Sequence, residues 1–490
     1  MDSGKARSHR DGGGLPIIHR KTEFSEYLRC KYSDSPRPSG TPLINAGGKN
    51  ATFLDSLKGA AAAAPFVLTF PVKIGIIEEK PTRKEHFKMK YDFTSVMDRR
   101  GKDAIAVDMV GKPGFGPDAP LPGFDTIPMW VADMNFPVVS TIVEAMIDRA
   151  RHPAFGYFQP SKEYFDSIIR WHEIRNGVTG LEEKHIGYEN GVLGGVVSAL
   201  NTFCSRGDKV LVHSPTYIGF THSLQNNGYE IVHSQLVKDD NDVWRMDFAD
   251  MEQKLREHKI HAAILCSPHN PTGRVWEKWE LEKAMELYQK YDVFVVSDEI
   301  WSDIILEGYR HTPTQSVSED AKMRTVALYA PSKTFNLAGL VGSYHIIYNP
   351  RLKDRMDKEA SLSHYNSMNV MSMHALLGAY RSEGYEWVDE LRQVITGNVD
   401  WAVEFIRTRF EGITVSRPQG TYMLFLDCSG WCERNGCDVG VLLKKGWDYG
   451  VGWQDGRPFH GAHHIRVNLA LPLKRVQEAF ERLEKYVFNA

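Results

Sequence analysis

From Met89 onward, short apolar runs alternate with stretches in which apolar residues recur every three or four positions. Residues 209–213 and 262–266 are apolar runs bounded by turn residues, which predicts two buried strands. Residues 277–290 carry helical spacing, and the next apolar run is 293–297. Strand, helix and strand in this order predict a parallel sheet covered by helices.

The same patterning predicts the rest of the fold. We expect further strands at 325–328, 343–348, 422–427 and 464–469, and an amphipathic closing helix that runs from Leu473 to Val487. The fold class is therefore α/β, with a large domain built on a mostly parallel sheet and a smaller α+β domain. We assign residues 141–374 to the large domain, and residues 89–140 together with 375–490 to the small one.

The first 88 residues lack this periodicity, which predicts a poorly ordered N-terminal extension. The sequence leaves open whether they are a targeting or regulatory tail or arise from an upstream translation start. The most apolar stretch, residues 60–77, is interrupted by Pro65, Pro71 and Lys73, so we expect no membrane-spanning segment. A cytoplasmic protein is the simplest interpretation.

Charge and cysteine content exclude some classes of partner. The formal net charge of the 490-residue chain is −3, which does not favour a nucleic-acid partner. Six cysteines in a chain of this length do not indicate a disulfide framework. A zinc site is an alternative to free thiols, but the chain has no Cys-x-x-Cys pair, and we expect no metal. The residues that would form such a site are Cys428, Cys432, Cys437, His460, His463 and His464.

Three polar residues follow three successive predicted strands. Asn270 comes after 262–266, Asp298 after 293–297, and Lys333 after 325–328. In open α/β sheets, ligands bind beyond the carboxyl ends of the strands. Pyridoxal 5'-phosphate (PLP) needs such a set, because a lysine binds its aldehyde, a carboxylate keeps its ring nitrogen protonated and a neutral donor lies near its ring hydroxyl. We therefore predict a PLP site with Lys333 as the catalytic residue.

The motifs around these residues resemble the class I/II aminotransferase superfamily. They are Ser-Pro-His-Asn-Pro-Thr-Gly around Asn270, Ser-Asp-Glu-Ile around Asp298 and Ser-Lys-Thr-Phe-Asn around Lys333, spaced by 28 and 35 residues. The resemblance implies the fold of PLP enzymes of fold type I. It also implies that Arg466, in His-Ile-Arg-Val-Asn-Leu-Ala, binds the substrate α-carboxylate, for which a planar guanidinium is a bidentate match.

More specific features resemble the MalY/PatB-type cystathionine (cysteine-S-conjugate) β-lyases. Residues 128–134 (Pro-Met-Trp-Val-Ala-Asp-Met), His269, Trp276 and residues 330–340 carry this resemblance, which begins at Met89. It implies that Trp130 contributes to substrate binding. The tyrosine at the Tyr157 position reaches the neighbouring subunit's site in that family, which implies a homodimer with shared active sites.

Other cofactor contacts are expected from the glycine turn and from the same family. Gly191, Val192 and Leu193 open a predicted helix, whose free N–H groups would attract the phosphate, although an ordinary glycine turn has the same pattern. Ser332 is a further candidate for the phosphate. Tyr217 matches the aromatic residue that stacks on the pyridine ring, with core packing as the alternative.

The sequence departs from the patterns of the families it resembles at four positions. Val341 stands where many aminotransferases have a phosphate-binding arginine, and Ala330 where many have serine. Trp301 replaces a histidine that is frequent in the lyase branch, and Asn135 a frequent aspartate. Because of the first two departures, the phosphate contacts of aminotransferases cannot be transferred to this chain in detail.

The function that these features predict is PLP-dependent carbon–sulfur β-elimination. Cystathionine or a cysteine S-conjugate, a small amino acid, would yield a thiol, pyruvate and ammonia. An aminotransferase is the first alternative, because it shares every residue used up to removal of the Cα proton. A regulatory binding protein that keeps the fold is the second alternative.

Overall fold

The computed structural model describes residues 89–363 and 366–489. The predicted extension, residues 1–88, lies outside the described residues. The strands are β1 (Ile127–Pro128), β2 (Ile186–Asn190), β3 (Lys209–Ser214), β4 (Glu230–Lys238), β5 (Trp244–Met246), β6 (Ile260–Cys266), β7 (Phe294–Asp298), β8 (Thr325–Tyr329), β9 (Gly342–Ile346), β10 (Met423–Asp427), β11 (Val451–Gly452), β12 (Gln454–Asp455) and β13 (His464–Asn468).

The helices cover much of the remaining described chain. They are α1 (Ile105–Asp108), α2 (Ser140–Arg151), α3 (Lys162–Asn176), α4 (Gly191–Phe203), α5 (Ile218–Asn226), α6 (Phe248–Glu257), α7 (Lys278–Lys290), α8 (Glu319–Arg324), α9 (Pro331–Thr334), α10 (Pro350–Ser363), α11 (Val370–Ala379), α12 (Ser382–Arg409), α13 (Ser429–Asn435), α14 (Val439–Asp448) and α15 (Leu473–Leu483). No helix in this part of the chain combines the length and apolar character needed to cross a membrane.

An eight-stranded sheet forms the centre of the fold. Its strand order is β2-β9-β8-β7-β6-β3-β4-β5. The five central strands, from β8 to β4 in this order, are all parallel to their neighbours within the group. Strand β9 runs antiparallel to both β8 and β2, and β5 is an antiparallel edge strand. The predicted α/β sheet is therefore present, with β5 antiparallel at one edge and β9 antiparallel one strand in from the other edge.

Helices cover both faces of this sheet because successive side chains of a strand point to opposite sides. Val210 and Val212 of β3 pack with α4, α5 and α10, whereas Leu211 packs with α6 and α7 on the other face. Alternate residues of β6 divide in the same way. Central strands buried on both faces read as continuous apolar runs, which is why the sequence pattern located them.

The C-terminal part of the chain builds a smaller antiparallel sheet in the order β10-β13-β12. The long helix α12 and the closing helix α15 pack in the same core cluster as this sheet. The α-helical part of the closing helix ends at Leu483, and a π-helical turn (Glu484–Phe488) follows it. The segment predicted as one helix up to Val487 is therefore α-helical first and π-helical in its last turn. The boundaries of the two predicted domains stay a prediction.

Candidate active site

A cavity of about 300 Å³ lies at the carboxyl ends of the central strands. Cys266, Asp298 and Leu328 stand side by side in the register of β6, β7 and β8, so the segments that follow these strands begin at one level. The lining residues are Ala132, Asn190, Gly191, Val192, Leu193, Tyr217, Cys266, Asn270, Asp298, Ile300, Trp301, Ser332, Lys333, Ala338, Val341 and Gly342. All of the predicted cofactor contacts except Tyr157 are in this set.

Asp298 is a buried carboxylate at the end of β7. Only 4% of the residue is exposed, and its Oδ1 accepts one hydrogen bond, 3.1 Å long, from the backbone N–H of Ile300. Burial raises the pKa of Asp298 to about 7, although the Ile300 N–H and the positive charge of Lys333 act against this shift. Such a carboxylate is poised to bind a cationic ring nitrogen, because a positive charge opposite it would offset the cost of burial.

Lys333 lies in the short helix α9, directly after β8. Its Nζ donates to the carbonyl oxygen of Ala132 at 2.9 Å and lies 5.6 Å from the ring centroid of Trp301. Burial, assisted by the positive charge of Arg466, lowers the pKa of Lys333 to about 8. A lysine with a lowered pKa has a larger neutral fraction at physiological pH, which nucleophilic attack and proton removal both require.

A second buried carboxylate, Asp303, holds the residue next to this lysine. Thr334 donates its hydroxyl to Asp303 Oδ2 at 2.9 Å, and Trp171 donates its indole N–H to Asp303 Oδ1 at 3.1 Å. Asp303 is a residue of the site that was not predicted from the sequence. Its position five residues after Asp298 carries no periodic signal, and its partners come from distant parts of the chain.

Arg466 is a buried arginine of β13, with 3% of its surface exposed. It donates from Nη1 to Asn270 Oδ1 at 3.0 Å and from Nη2 to the carbonyl oxygen of Trp130 at 3.2 Å, and it also contacts Gln454. Its Nε is buried and has no hydrogen-bond partner. Burial lowers the pKa of Arg466 to about 10, so the group stays cationic at neutral pH.

Phe459 packs against this guanidinium. Cζ of Arg466 lies 4.5 Å from the centroid of the Phe459 ring, a cation–π geometry. The carbonyl of Phe459 also accepts a hydrogen bond of 2.9 Å from the N–H of Thr216, next to Tyr217. Phe459 was not predicted, because it ends a short 3-10 turn (Arg457–Phe459) before β13, in a stretch with no apolar periodicity.

Trp130 reaches the site by its main chain. Its indole N–H donates to the carbonyl oxygen of Ala106 at 3.0 Å, and its ring packs edge-on against Phe115. The residue is not in the cavity lining, and its contact with Arg466 uses the carbonyl group. The predicted contact between Trp130 and substrate therefore stays a prediction, with its indole directed to the segment around Ala106.

The expected glycine turn opens α4 at the cavity. Gly191 has φ of +73°, a left-handed conformation that favours glycine, and it is the first residue of the helix. Val341, also in the lining, is left-handed as well and brings no charge. Among the described lining residues, only Asp298 and Lys333 are charged.

Tyr157 stands apart from this cavity. It lies between α2 and α3, outside any helix or strand, and is fully exposed, and Phe155 in the same segment is more than half exposed. Large apolar side chains exposed together often mark protein contacts. The predicted role of Tyr157 in a neighbouring subunit's site stays a prediction.

The alternative zinc site has no counterpart in the described residues. Cys428, Cys432 and Cys437 are free thiols. No group of three or more His, Cys, Asp or Glu side chains in residues 89–363 and 366–489 is arranged to hold a metal ion.

A model of the family described as aminotransferase class I and II matches residues 126–483. The chain belongs to this family. The match includes every lining residue of the cavity and Arg466, so the site lies wholly within the family's domain. The predicted fold type I is thereby confirmed.

The predicted resemblance to the MalY/PatB branch of the family is also confirmed. The chain is 34% identical over 367 residues to cystathionine β-lyase PatB of Bacillus subtilis. This alignment covers 74% of this chain and 92% of PatB. Identity to the protein MalY of Escherichia coli is 28%, over 79% of this chain and 96% of MalY. The PLP-bound C-S lyase from Staphylococcus hominis superposes with a TM-score of 0.72 at 27% identity, over 80% of this chain and 98% of the lyase.

Proposed function

We propose that this aminotransferase-family protein is a PLP-dependent carbon–sulfur β-lyase that acts on cystathionine or related cysteine S-conjugates. The observation that carries the proposal is the convergence of Lys333, Asp298, Asn270 and Arg466 on one buried site. The similarity of the chain to PatB, a cystathionine β-lyase, supports elimination as the reaction.

The chain's own residues fit PLP. Lys333 Nζ would bind the aldehyde, Asp298 would face the ring nitrogen, and Asn270 would lie near the ring hydroxyl. The Asp298 carboxylate accepts one N–H in the structure and has acceptor capacity left for a cationic ring.

The opposite end of the cavity fits the phosphate and the ring face. Gly191, Val192 and Leu193 offer the first N–H groups of α4, and Ser332 adds a hydroxyl. Tyr217 would stack on the ring. These assignments are proposals that follow from the cavity lining.

In the proposed reaction, Arg466 binds the substrate α-carboxylate and thereby orients the Cα–H bond. Lys333 Nζ removes the Cα proton, and the thiolate leaves as the Cβ–S bond breaks. Bound PLP supplies the electron sink that stabilises the charge left at Cα. Hydrolysis of the remaining three-carbon fragment gives pyruvate and ammonia.

We further propose a homodimer in which Tyr157 enters the partner subunit's cavity. The exposure of Tyr157 and Phe155 supports this arrangement. Mixing two inactive proteins, Lys333→Ala and Tyr157→Ala, tests it. A mixed dimer has one site with an intact Lys333 and an intact Tyr157, so activity should return on mixing, whereas sites built from one chain would stay inactive.

The reaction type is tested with purified protein and L-cystathionine in the absence of a keto acid. A β-lyase produces pyruvate, ammonia and thiol steadily, because elimination consumes no keto acid and leaves Lys333 able to hold the same cofactor form for the next substrate. If turnover stops after one equivalent and resumes only on addition of 2-oxoglutarate or pyruvate, the protein is an aminotransferase. A cytoplasmic location stays a prediction, to be tested by cell fractionation.

A further inference from the structure

Asn366 contacts the turn before α4 with both ends of its side-chain amide. Its Oδ1 accepts the backbone N–H of Asn190 at 2.7 Å, and its Nδ2 donates to the carbonyl oxygen of Tyr188 at 2.9 Å. Asn366 is 176 residues away from Asn190 in sequence. One side chain therefore ties a distant segment to the end of β2, immediately before Gly191.

The same amide is anchored on a buried carboxylate. Asn366 Nδ2 also donates to Glu189 Oε2 at 2.9 Å, and Glu189 Oε1 lies 2.7 Å from Nδ1 of His345 on β9. Glu189 and His345 are 1% and 2% exposed. A Cβ at Gly195 would lie 3.1 Å from Cγ of Glu189, so α4 packs directly on this side chain. Both carboxylate oxygens of Glu189 have hydrogen-bond partners, which favours one geometry for this side chain and gives Asn366 a defined anchor.

The direction of the first N–H groups of α4 decides how well this site binds an anion. Because Val341 brings no charge and the described lining carries only Asp298 and Lys333 as charged groups, phosphate binding within this chain depends on main-chain and hydroxyl donors. Such hydrogen bonds weaken steeply when their angle changes. Asn366 holds the 188–189 and 189–190 peptides, directly before the turn, and thereby influences the direction of the donors at that end of the cavity.

We infer that Asn366 is a positioning residue for the cofactor phosphate, acting through the hydrogen bonds that hold Tyr188, Glu189 and Asn190 in place before the turn. The inference rests on the proposed binding of phosphate at Gly191 and is independent of whether the reaction is elimination or transamination. Asn366 is not in the cavity lining, so its effect on the cofactor passes through the turn.

The test compares PLP with pyridoxal, which has the same ring and aldehyde but no phosphate. Dissociation constants of both are measured on the apoprotein by absorbance and fluorescence. In Asn366→Ala, PLP should bind about tenfold more weakly, the effect of one hydrogen bond, while pyridoxal binding is unchanged. The ³¹P resonance of bound PLP should also shift, because its donors are reoriented.

Asn349→Ala is a matched control. Asn349 also uses both ends of its amide, donating to the carbonyl oxygen of Met323 at 2.9 Å and accepting from the N–H of Arg351 at 3.0 Å, but it caps α10. Its loss should lower the melting temperature and leave the ratio of the two dissociation constants as in the wild type. This comparison separates a positioning role from a purely structural one.

A second variant, Asn366→Asp, keeps an acceptor for Asn190 but loses both donors and faces Glu189 with a like charge. We expect at least the same selective loss of PLP affinity. The inference is overturned if both variants keep the wild-type ratio, or if PLP and pyridoxal weaken by the same factor. A wild-type protein that does not discriminate the two ligands would overturn the phosphate placement itself, and this inference with it.

Discussion

Arg466 Nη1 donates to Asn270 Oδ1 over 3.0 Å, and this bond joins the small C-terminal sheet to the loop that follows β6 of the large sheet. It links the proposed carboxylate-binding group to the proposed neighbour of the cofactor's ring hydroxyl. A substrate carboxylate that binds Arg466 would therefore bind a residue that is itself hydrogen-bonded to Asn270, a proposed cofactor contact.

Arg466→Lys should impair substrate binding selectively. An ammonium group cannot make the two parallel bonds of a guanidinium, so we expect KM to rise about tenfold or more with a smaller change in kcat. Steady-state kinetics with L-cystathionine measure this. Arg324→Lys, which alters an arginine paired with Asp320 and remote from the cavity, is the control and should leave KM unchanged. A similar KM in both variants would contradict the role of Arg466.

Phe459→Leu tests the aromatic contact with Arg466. The leucine keeps most of the apolar volume but loses the cation–π attraction, worth about 1 kcal/mol, so KM should rise about fivefold. Phe410→Leu removes another buried ring, which packs on Phe480 and Phe488. It should lower the melting temperature to a similar degree without changing KM. Equal KM values for the two variants would show that Phe459 only fills space.

Asp298→Asn should separate stability from function. Turnover should fall by several orders of magnitude, because an amide does not hold the ring nitrogen in its protonated state. The apoprotein should instead gain stability, on the order of 3 kcal/mol at pH 7.5, because a buried charge is removed.

The pH dependence of that gain follows from the raised pKa of Asp298. Well below 3.8, the ordinary pKa of an aspartate, the carboxyl is protonated in both the folded and unfolded states, so wild type and variant should be equally stable. The destabilisation of the wild type grows as pH rises and levels off above about 7, the folded-state value. Urea titrations of the apoprotein at several pH values measure this. A constant difference across pH would refute the assignment.

The lowered pKa of Lys333 predicts when the apoprotein captures its cofactor. The amine must be neutral to attack the aldehyde, so the capture rate should rise with pH and level off above about 8. Because Arg466 contributes to the shift, Arg466→Gln should move the inflection to higher pH. Stopped-flow absorbance gives the rates, and Lys333→Ala supplies the background. A rate that still rises between pH 9 and 10 in the wild type would mean that this lysine has an ordinary pKa.

Local sequence patterns determined the central strands and the order in which Asn270, Asp298 and Lys333 follow them. Apolar periodicity reports burial directly, and the carboxyl ends of neighbouring parallel strands meet at one edge of a sheet. For that reason a cavity lined by the predicted residues could be expected without coordinates. The motifs around these residues were also sufficient to indicate the family.

Only the tertiary structure decided the contacts of Asp303, Phe459 and Asn366, the direction of the Trp130 indole and the antiparallel course of β9. Each depends on contacts between separate elements of the chain or on the direction in which a side chain leaves the backbone, and neither has a periodic signal. The shifted pKa values of Asp298 and Lys333 were also decided only by the tertiary structure. Burial is their first cause, and a residue's burial is the result of the whole chain packing around it.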